Sequence, residues 1–146
     1  MDDWKSNSRM TLQKEIVLSK NHMDVLAKHA REYAPNESCA ILFGRIEGER
    51  IIIKDVFLTK NVENSPVNFA ISNEELIRGY SEAERKNLDV SGIFHSHPQS
   101  VGYPSTMDIK YMEINPVPWV IFSNVDNQFK AYILESEIIQ LVVTIS

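Results

Sequence analysis

Residues 92–108 read GIFHSHPQSVGYPSTMD, a strand pattern followed by a turn and the start of a helix. Residues 90–94 (VSGIF) predict the strand, and alternate residues of a strand project from the same face. His95 and His97 therefore share one face, with a spacing of roughly 6.6 Å along the strand. Pro98 cannot donate to a sheet ladder, so the strand is predicted to end there.

The residues after Pro98 predict a loop and then a helix. Gly102 and Pro104 favour turns, and Ser105 is a helix N-cap that places Asp108 one turn inside the helix. A carboxylate at that position can reach back over the strand end, beside the two histidines. Two imidazoles and one carboxylate that leave a fourth tetrahedral position open for water are the ligand set of a catalytic zinc site.

These residues also have simpler interpretations. An isolated His-x-His is more often a pair of ordinary strand histidines than a metal site. The chain has four histidines, however, and two of them lie in this one stretch. A hydrolytic zinc site also needs a base near its water, and Glu37, directly before the apolar run of residues 38–44, is our candidate. The alternative for Glu37 is a solvated carboxylate at the start of a strand.

With these residues in place, the sequence resembles the JAMM (MPN-plus, Mov34/JAB) metallopeptidases. Their signature is a glutamate upstream of H-x-H-P, five variable residues, P-S, two further residues and D. Every signature position is filled here, by Glu37, by residues 95–98 (HSHP), by Pro104 and Ser105, and by Asp108. Residues 35–40 and 69–71 also match family landmarks, so the resemblance covers most of residues 12–135, in the compact, prokaryotic or archaeal form of the domain.

The resemblance implies a role for each signature residue. It implies one zinc ion per chain, bound by His95, His97 and Asp108. Glu37 would take a proton from the attacking water and return it to the leaving amine, and Ser105 would hydrogen-bond the oxyanion of the tetrahedral intermediate. The implied activity is hydrolysis of the isopeptide bond after the C-terminal glycine of ubiquitin or a small ubiquitin-like modifier, as in a deubiquitinase or desampylase.

Length, composition and charge limit the number of domains, the partners and the cellular compartment that can be expected. The chain has 146 residues, 43% of them hydrophobic and 24% charged, which predicts one soluble domain, at residues 11–146. Residues 1–10 are polar and aperiodic, which predicts a flexible tail. The net charge of −5 argues against nucleic acid as a partner. The single cysteine, Cys39, excludes an internal disulfide and is predicted to be a small buried residue. No signal peptide and no membrane-spanning run are recognisable, so we expect a cytoplasmic protein that does not interact with membranes.

Hydrophobic periodicity predicts an α/β fold, and the resemblance implies a curved mixed sheet flanked by helices, of the JAMM/MPN, cytidine-deaminase-like type. Helices are predicted after Ser19, after a capping box that opens at Ser72, and after Ser105. His22 and His29 are expected at the surface or boundary of the first helix. Strands are predicted at residues 12–18, 39–45, 51–58, 90–97, 119–123, 129–135 and 138–145.

Residues 67–71 form an extended run just before the second helix. Such a run can be a sheet edge that pairs with the extended C-terminal tail of a modifier, which makes Asn68, Phe69 and Ala70 candidate substrate-binding residues. The alternative is an internal strand without a free edge. A tail that ends in two glycines would suit close approach to the metal.

Several other functions compete with the isopeptidase. The same chemistry serves small-substrate peptidases and enzymes that process sulfur carriers. The resemblance implies a compact or prokaryotic-type substrate, because this chain lacks the long insertions with which larger deubiquitinases of the family bind ubiquitin. A non-catalytic MPN scaffold would have lost ligands, and this chain has lost none. A zinc nucleobase deaminase needs a P-C-x-x-C pair, which one cysteine cannot supply. A family branch associated with DNA repair has a similar motif, but the negative net charge argues mildly against it.

The expected partner is a ubiquitin-like modifier or its conjugates. The sequence does not decide whether the protein forms a homodimer or a larger complex.

Overall fold

Seven strands and three helices make up residues 13–146, the part of the chain that the computed structural model describes. The strands are β1 (Glu15–Leu18), β2 (Cys39–Glu47), β3 (Arg50–Thr59), β4 (Asp89–His97), β5 (Trp119–Ser123), β6 (Phe129–Leu134) and β7 (Ile138–Ile145). The helices are α1 (Lys20–Tyr33), α2 (Asn73–Arg85) and α3 (Thr106–Ile114). The flexible tail predicted for residues 1–10 lies outside the described residues.

The sheet closes on itself in the order β1-β3-β2-β4-β5-β6-β7. The short turns β2–β3, β5–β6 and β6–β7 give antiparallel pairs, while β4 and β5 are parallel and are joined through α3. Closure comes from β1, which pairs in parallel with both β3 and β7. The curved mixed sheet is therefore confirmed, and its closure into a barrel is an addition to the prediction.

One glycine is required by the curvature of this sheet. The pairing of β2 with β3 shifts between Phe43 and Gly44, which is a β-bulge. A Cβ atom on Gly44 would lie 2.1 Å from the carbonyl oxygen of Ile52. Because a bulge bends its strand and increases the local twist, this position favours the strong curvature that closure needs.

Helix α1 begins as predicted, with the hydroxyl oxygen of Ser19 accepting a hydrogen bond from the backbone N–H of His22. The prediction that His29 lies at the surface or boundary is wrong, because its side chain is buried. Its Nε2 lies 3.0 Å from the carbonyl oxygen of Cys39 and 3.2 Å from that of Thr59. His29 thus serves as a polar link between α1 and the ends of β2 and β3.

Helix α2 also begins at its predicted cap, Ser72, whose hydroxyl accepts from the backbone N–H of Glu75. The reciprocal half of the predicted capping box does not form. The carboxylate of Glu75 instead accepts a hydrogen bond from the backbone N–H of Lys60, at 2.9 Å. A glutamate at this position therefore ties the start of α2 to the end of β3.

The two faces of the sheet carry separate cores. One core joins α1 to side chains such as Leu42, Phe94 and Val120. The opposite face carries Cys39, Ile93 and Trp119, together with Met112 from α3. Because side chains alternate along β4, His95 lies on this second face, next to α3. The prediction that Cys39 is a buried residue is confirmed.

Residues 67–71 belong to neither of the two predicted arrangements. The segment is not paired into the sheet, and it packs Phe69 and Ile71 against the core of the second face before α2 begins. Phe69 is buried in the core there, while Val67 is largely exposed. The backbone N–H of Val62 donates to the carbonyl oxygen of Ala70 at 3.0 Å, so the loop after β3 supports the segment from one side. Of the helices within residues 13–146, none has the length and apolar character needed to cross a bilayer.

Candidate metal centre

The two histidines of the sequence motif bring their Nε2 atoms together at the end of β4. Both lie at the end of β4 and are buried, His95 completely and His97 almost so. Their Nε2 atoms lie 3.1 Å apart. The strand alternation expected from the sequence therefore brings the two imidazoles together on the face that α3 covers.

Helix α3 supplies the third group. The Ser105 hydroxyl accepts from the backbone N–H of Asp108, and Oδ2 of Asp108 accepts from the backbone N–H of Ser105 at 2.9 Å, which completes a capping box. The same Oδ2 atom lies 3.1 Å from Nε2 of His95 and 3.1 Å from Nε2 of His97. The cap thus orients the carboxylate toward the imidazoles.

The three atoms form a triangle that suits a small metal ion. Ligands at about 2.0–2.1 Å from a tetrahedral zinc ion lie about 3.3 Å from one another, close to the three separations of 3.1 Å found here. His97 also has the right proton arrangement, because its Nδ1 lies 2.9 Å from the carbonyl oxygen of Val101. A carbonyl only accepts, so a neutral ring carries its proton on Nδ1 and directs the lone pair of Nε2 into the triangle.

Electrostatics within the triangle favour an ionised carboxylate beside the neutral ring of His95. Burial alone would lower the pKa of His97, but Asp108 and the carbonyl of Val101 raise it. Burial alone would raise the pKa of Asp108, but His95, His97 and the N–H of Ser105 together hold it well below its ordinary range. Burial lowers the pKa of His95, which favours the neutral ring that a metal needs. Donors of this kind fit Zn²⁺, which binds imidazole nitrogen and carboxylate oxygen.

Glu37 reaches the site through strand register. Cys39 pairs with His95 in the antiparallel ladder of β2 and β4, and the backbone N–H of Ser96 donates to Ser38 O at 3.1 Å. Continued by one more residue, this register sets Glu37 opposite His97, on the same face of the sheet.

Glu37 is buried, only 3% exposed, and its Oε1 has no hydrogen-bond partner within residues 13–146. Burial raises its pKa to about 8, with His97 acting to lower it and Asp108 to raise it. A buried carboxyl oxygen without a protein partner is suited to a water or a substrate group. A pKa near neutrality suits a group that takes and returns a proton.

Aromatic rings hold His95 from two sides. The Phe69 ring stacks on it with a centroid distance of 4.8 Å, and the Trp119 ring meets it edge-on at 5.6 Å. Nδ1 of His95 has no hydrogen-bond partner among the described residues. Packing therefore orients His95, whereas a hydrogen bond orients His97. Phe69, predicted to contact substrate, also contacts this histidine.

A serine pair next to Glu37 was not predicted from the sequence. The Ser96 hydroxyl accepts from the backbone N–H of Ser38 at 2.8 Å and from the Ser38 hydroxyl at 3.0 Å. Both serines are completely buried. Their hydrogen bonds join the chain directly before β2 to β4, and this link holds Glu37 close to His97. In the sequence, the only signal for this link is that Ser38 follows Glu37 and that Ser96 lies between the two histidines.

Two further residues anchor the loop between His97 and Ser105, and they too were missed. The Tyr132 hydroxyl donates to Gly102 O at 2.9 Å, and the Ser123 hydroxyl donates to Ser100 O at 2.7 Å. Both come from the sheet, on β6 and β5. No local sequence signal points to them, because their partners are main-chain atoms distant in sequence.

The comparisons with known proteins agree with this geometry. The family described as prokaryotic homologs of the JAB domain matches residues 19–134. A desampylase of Pyrococcus furiosus is 41% identical over 101 residues, 69% of each chain. A probable TtuB-protein conjugate cleaving protease of Thermus thermophilus is 33% identical over 117 residues, 79% of this chain and 74% of the relative. The solution structure of protein DSY2949 from Desulfitobacterium hafniense superposes with a TM-score of 0.81, at 26% identity, over 90% of this chain and 92% of that one. The chain therefore belongs to the prokaryotic JAB-domain family, within the JAMM/MPN proteins that its signature residues resemble.

Proposed function

We propose that this protein is a zinc-dependent isopeptidase that hydrolyses the amide bond after the C-terminal glycine of a small ubiquitin-like modifier. The observation that carries the proposal is the triangle of His95 Nε2, His97 Nε2 and Asp108 Oδ2. Glu37 adds a base, because its Oε1 has no hydrogen-bond partner within residues 13–146 and its pKa responds to both His97 and Asp108. The modifier as substrate class is supported by relatives named desampylase and conjugate cleaving protease.

In this proposal His95, His97 and Asp108 hold one zinc ion per chain. A divalent ion held there would polarise the scissile carbonyl and acidify the attacking water. The Glu37 carboxylate takes a proton from the water and passes it to the leaving amine. Water adds across the amide bond, so the products are a free carboxylate on the glycine and a free amine.

Ser105 is suited to stabilise the oxyanion. Its hydroxyl oxygen already accepts a hydrogen bond from the backbone of Asp108 at 3.0 Å, so its hydroxyl proton is available to donate. It is half-buried at the start of α3, beside the three proposed ligands. A donor of this kind contributes mainly in the transition state, where negative charge develops on the oxygen.

Replacing Ser105 with alanine is expected to lower kcat about 10²-fold with little change in KM, because one oxyanion donor is lost. The loss of the N-cap should also lower the free energy of unfolding by about 1 kcal/mol. Ser19→Ala is the matched control, because Ser19 caps α1 with the same 3.0 Å hydrogen bond. It should show the stability loss alone. A rise in KM without a fall in kcat would instead place Ser105 in substrate binding.

Residues 68–70 are proposed to bind the modifier's tail, and the structure indicates which main-chain groups are available. Asn68 O, Ala70 N and Ala70 O are all bonded to the loop that contains Asn61 and Val62. In an extended chain, alternate residues direct their main-chain groups to the same side. The main-chain groups of Phe69 and Ile71 make no hydrogen bond within residues 13–146, so they are the groups available to a tail.

Tail pairing predicts an alternating response to N-methylation of the substrate. A short synthetic peptide that ends in two glycines and is joined to a lysine ε-amine serves as substrate. N-methylation removes one main-chain donor at a time. We expect KM to rise for methylation at alternate tail positions only, because every second residue of a strand faces its partner. KM values that do not depend on the position of the methyl group would contradict pairing on this segment.

A panel of conjugates tests the function itself. Protein–modifier isopeptides built from several ubiquitin-like modifiers, together with a modifier–cysteine adduct, are incubated with the zinc-loaded protein and analysed by intact mass. We expect the modifier to be released with its C-terminal glycine intact and the lysine regenerated. Cleavage of the cysteine adduct alone would favour the sulfur-carrier alternative. No cleavage of any member would favour an MPN scaffold.

The proposal also includes where the protein acts and with what. We place it in the cytoplasm, acting on modifier conjugates rather than on nucleic acid or membranes. The buried, reduced Cys39 and the net charge of −5 support this, the latter because it disfavours binding to phosphate backbones. A homodimer or a larger complex is compatible with the same site.

A further inference from the structure

Asn61 is a buried polar residue that the proposed chemistry does not use. It lies in the loop between β3 and α2 and is 2% exposed. Its Nδ2 donates to Glu37 O at 2.9 Å and to Asn68 O at 3.0 Å. Its Oδ1 accepts from the backbone N–H of Glu63 at 3.0 Å and of Ala70 at 3.1 Å. Every donor and acceptor of this side-chain amide is therefore paired.

Three of these four partners belong to two different parts of the proposed site, and the fourth, the backbone N–H of Glu63, lies in the same loop as Asn61. One part is the main chain of Glu37, the proposed base, whose backbone N–H also donates to Ser65 O in the same loop at 2.8 Å. The other is the segment of residues 68–70, which is proposed to pair with the modifier's tail. A single side chain thus connects the base to the tail-binding segment across a buried gap.

The chemistry of this position requires an amide. Two carbonyl oxygens need donors, and two N–H groups need acceptors, all around one buried side chain. A carboxylate of the same shape supplies the acceptors but no donors. An alanine supplies neither and leaves four main-chain groups without their partner in a site with little access to water.

We propose that Asn61 is a positioning residue that sets the place of Glu37 relative to the tail-binding segment. It acts through these two elements and does not itself contact the substrate. This inference rests on the proposed isopeptidase function. Small displacements of a base from its substrate lower kcat steeply, and about 1 Å can cost about 100-fold. A less well held segment of residues 68–70 would instead weaken the binding of the tail and so raise KM.

Two variants separate the loss of the two donated hydrogen bonds from the loss of the whole side-chain amide. Asn61→Ala removes all four hydrogen bonds, and the isosteric Asn61→Asp retains the two accepted bonds but loses the two donated ones. Leu141→Ala is the matched control for lost stability, because Leu141 is buried in the core on the α1 face, apart from the metal centre. All proteins are compared at equal concentrations of folded, zinc-loaded chain.

Two substrates separate the two parts of the site. Diglycine joined to a lysine ε-amine is short, so it reports mainly on the base. A longer peptide with the same two-glycine end also reports on the tail-binding segment. We expect both Asn61 variants to lower kcat about 10- to 100-fold on the short substrate and to raise KM in addition on the long one. Zinc content should stay that of the wild type.

Binding of the free tail gives a second readout that does not depend on turnover. The longer peptide with a free C-terminal carboxylate is titrated into metal-free protein by calorimetry, and both Asn61 variants should bind it several-fold more weakly than Leu141→Ala does. If both variants match Leu141→Ala in kcat, KM and affinity for the tail, the role of Asn61 is structural only and the inference is overturned. A wild-type-like Asn61→Asp would overturn it as well. If the wild type cleaves neither substrate and no conjugate, the proposed function fails and this inference fails with it.

Discussion

Replacing His97 with alanine is expected to abolish both metal binding and conjugate hydrolysis. His97 Nε2 is one of three atoms that lie 3.1 Å from one another, and its Nδ1 is held by Val101 O at 2.9 Å. Two remaining ligands cannot complete a tetrahedral site, so we expect zinc content to fall from one ion per chain to nearly none. Activity should fall below detection. Added zinc should raise the melting temperature of the wild type but not of the variant, because only a folded site binds the ion.

His22→Ala is a suitable control for this variant. His22 is a half-buried histidine on α1 and belongs to no metal-capable cluster of the described residues. Elemental analysis after gel filtration measures the zinc in each protein, and the conjugate assay measures turnover. A His97→Ala protein that retained one zinc ion per chain, with normal turnover, would show that His97 is not a ligand.

Replacing Glu37 with glutamine is expected to leave zinc and fold intact while turnover is lost. The substitution retains the shape of the side chain but removes the base, and loss of a well-placed general base costs about 10²–10⁴-fold in kcat. The Glu37 carboxyl is buried, and no atom of it belongs to the triangle of proposed ligands. KM should therefore change little.

Glu63→Gln provides the matched control, because Glu63 is an exposed carboxylate on the neighbouring loop. Its kcat should equal that of the wild type. Two results would contradict the assignment of Glu37. Loss of zinc from Glu37→Gln would make Glu37 a ligand, and full activity of the zinc-loaded variant would mean that another group is the base.

Local signals made much of the β4–α3 region predictable. Alternation set both histidines on one face, and Ser105 begins α3 as a cap does in most helices. The position of Glu37 depends on the pairing of β2 with β4, which are far apart in sequence. The sequence makes Glu37 a candidate base by its place before an apolar run, and the resemblance to the JAMM motif favours it, but neither predicts the register that sets it opposite His97.

Other features had no local signal at all. Closure of the sheet depends on β1, a strand of four residues that pairs with both β3 and β7. Asn61 lies in a polar loop, and nothing in its neighbours indicates that its amide joins the main chain of Glu37 to that of residues 68–70. Long-range register and side-chain bonds to the main chain are set by the whole fold, so a single sequence does not reveal them.

His29 is a different case, because the sequence does contain a signal for its burial. It follows Leu26 by three residues, so it lies on the apolar stripe of α1. Histidine is intermediate in its tendency to be buried, which is why a boundary position was predicted. Two carbonyl oxygens at the ends of β2 and β3 supply the partners that make its burial favourable.

Stoichiometric zinc titration of a metal-stripped sample tests the proposed function most directly. The protein is stripped with a chelator and freed of it, zinc is added in fractions of one equivalent, and hydrolysis of a modifier–lysine isopeptide is measured at each step. Binding of one ion by His95, His97 and Asp108 predicts no activity at the start, a linear rise and a plateau at one zinc per chain. Full activity in the stripped sample, or none after reloading on any conjugate of the panel, would contradict it.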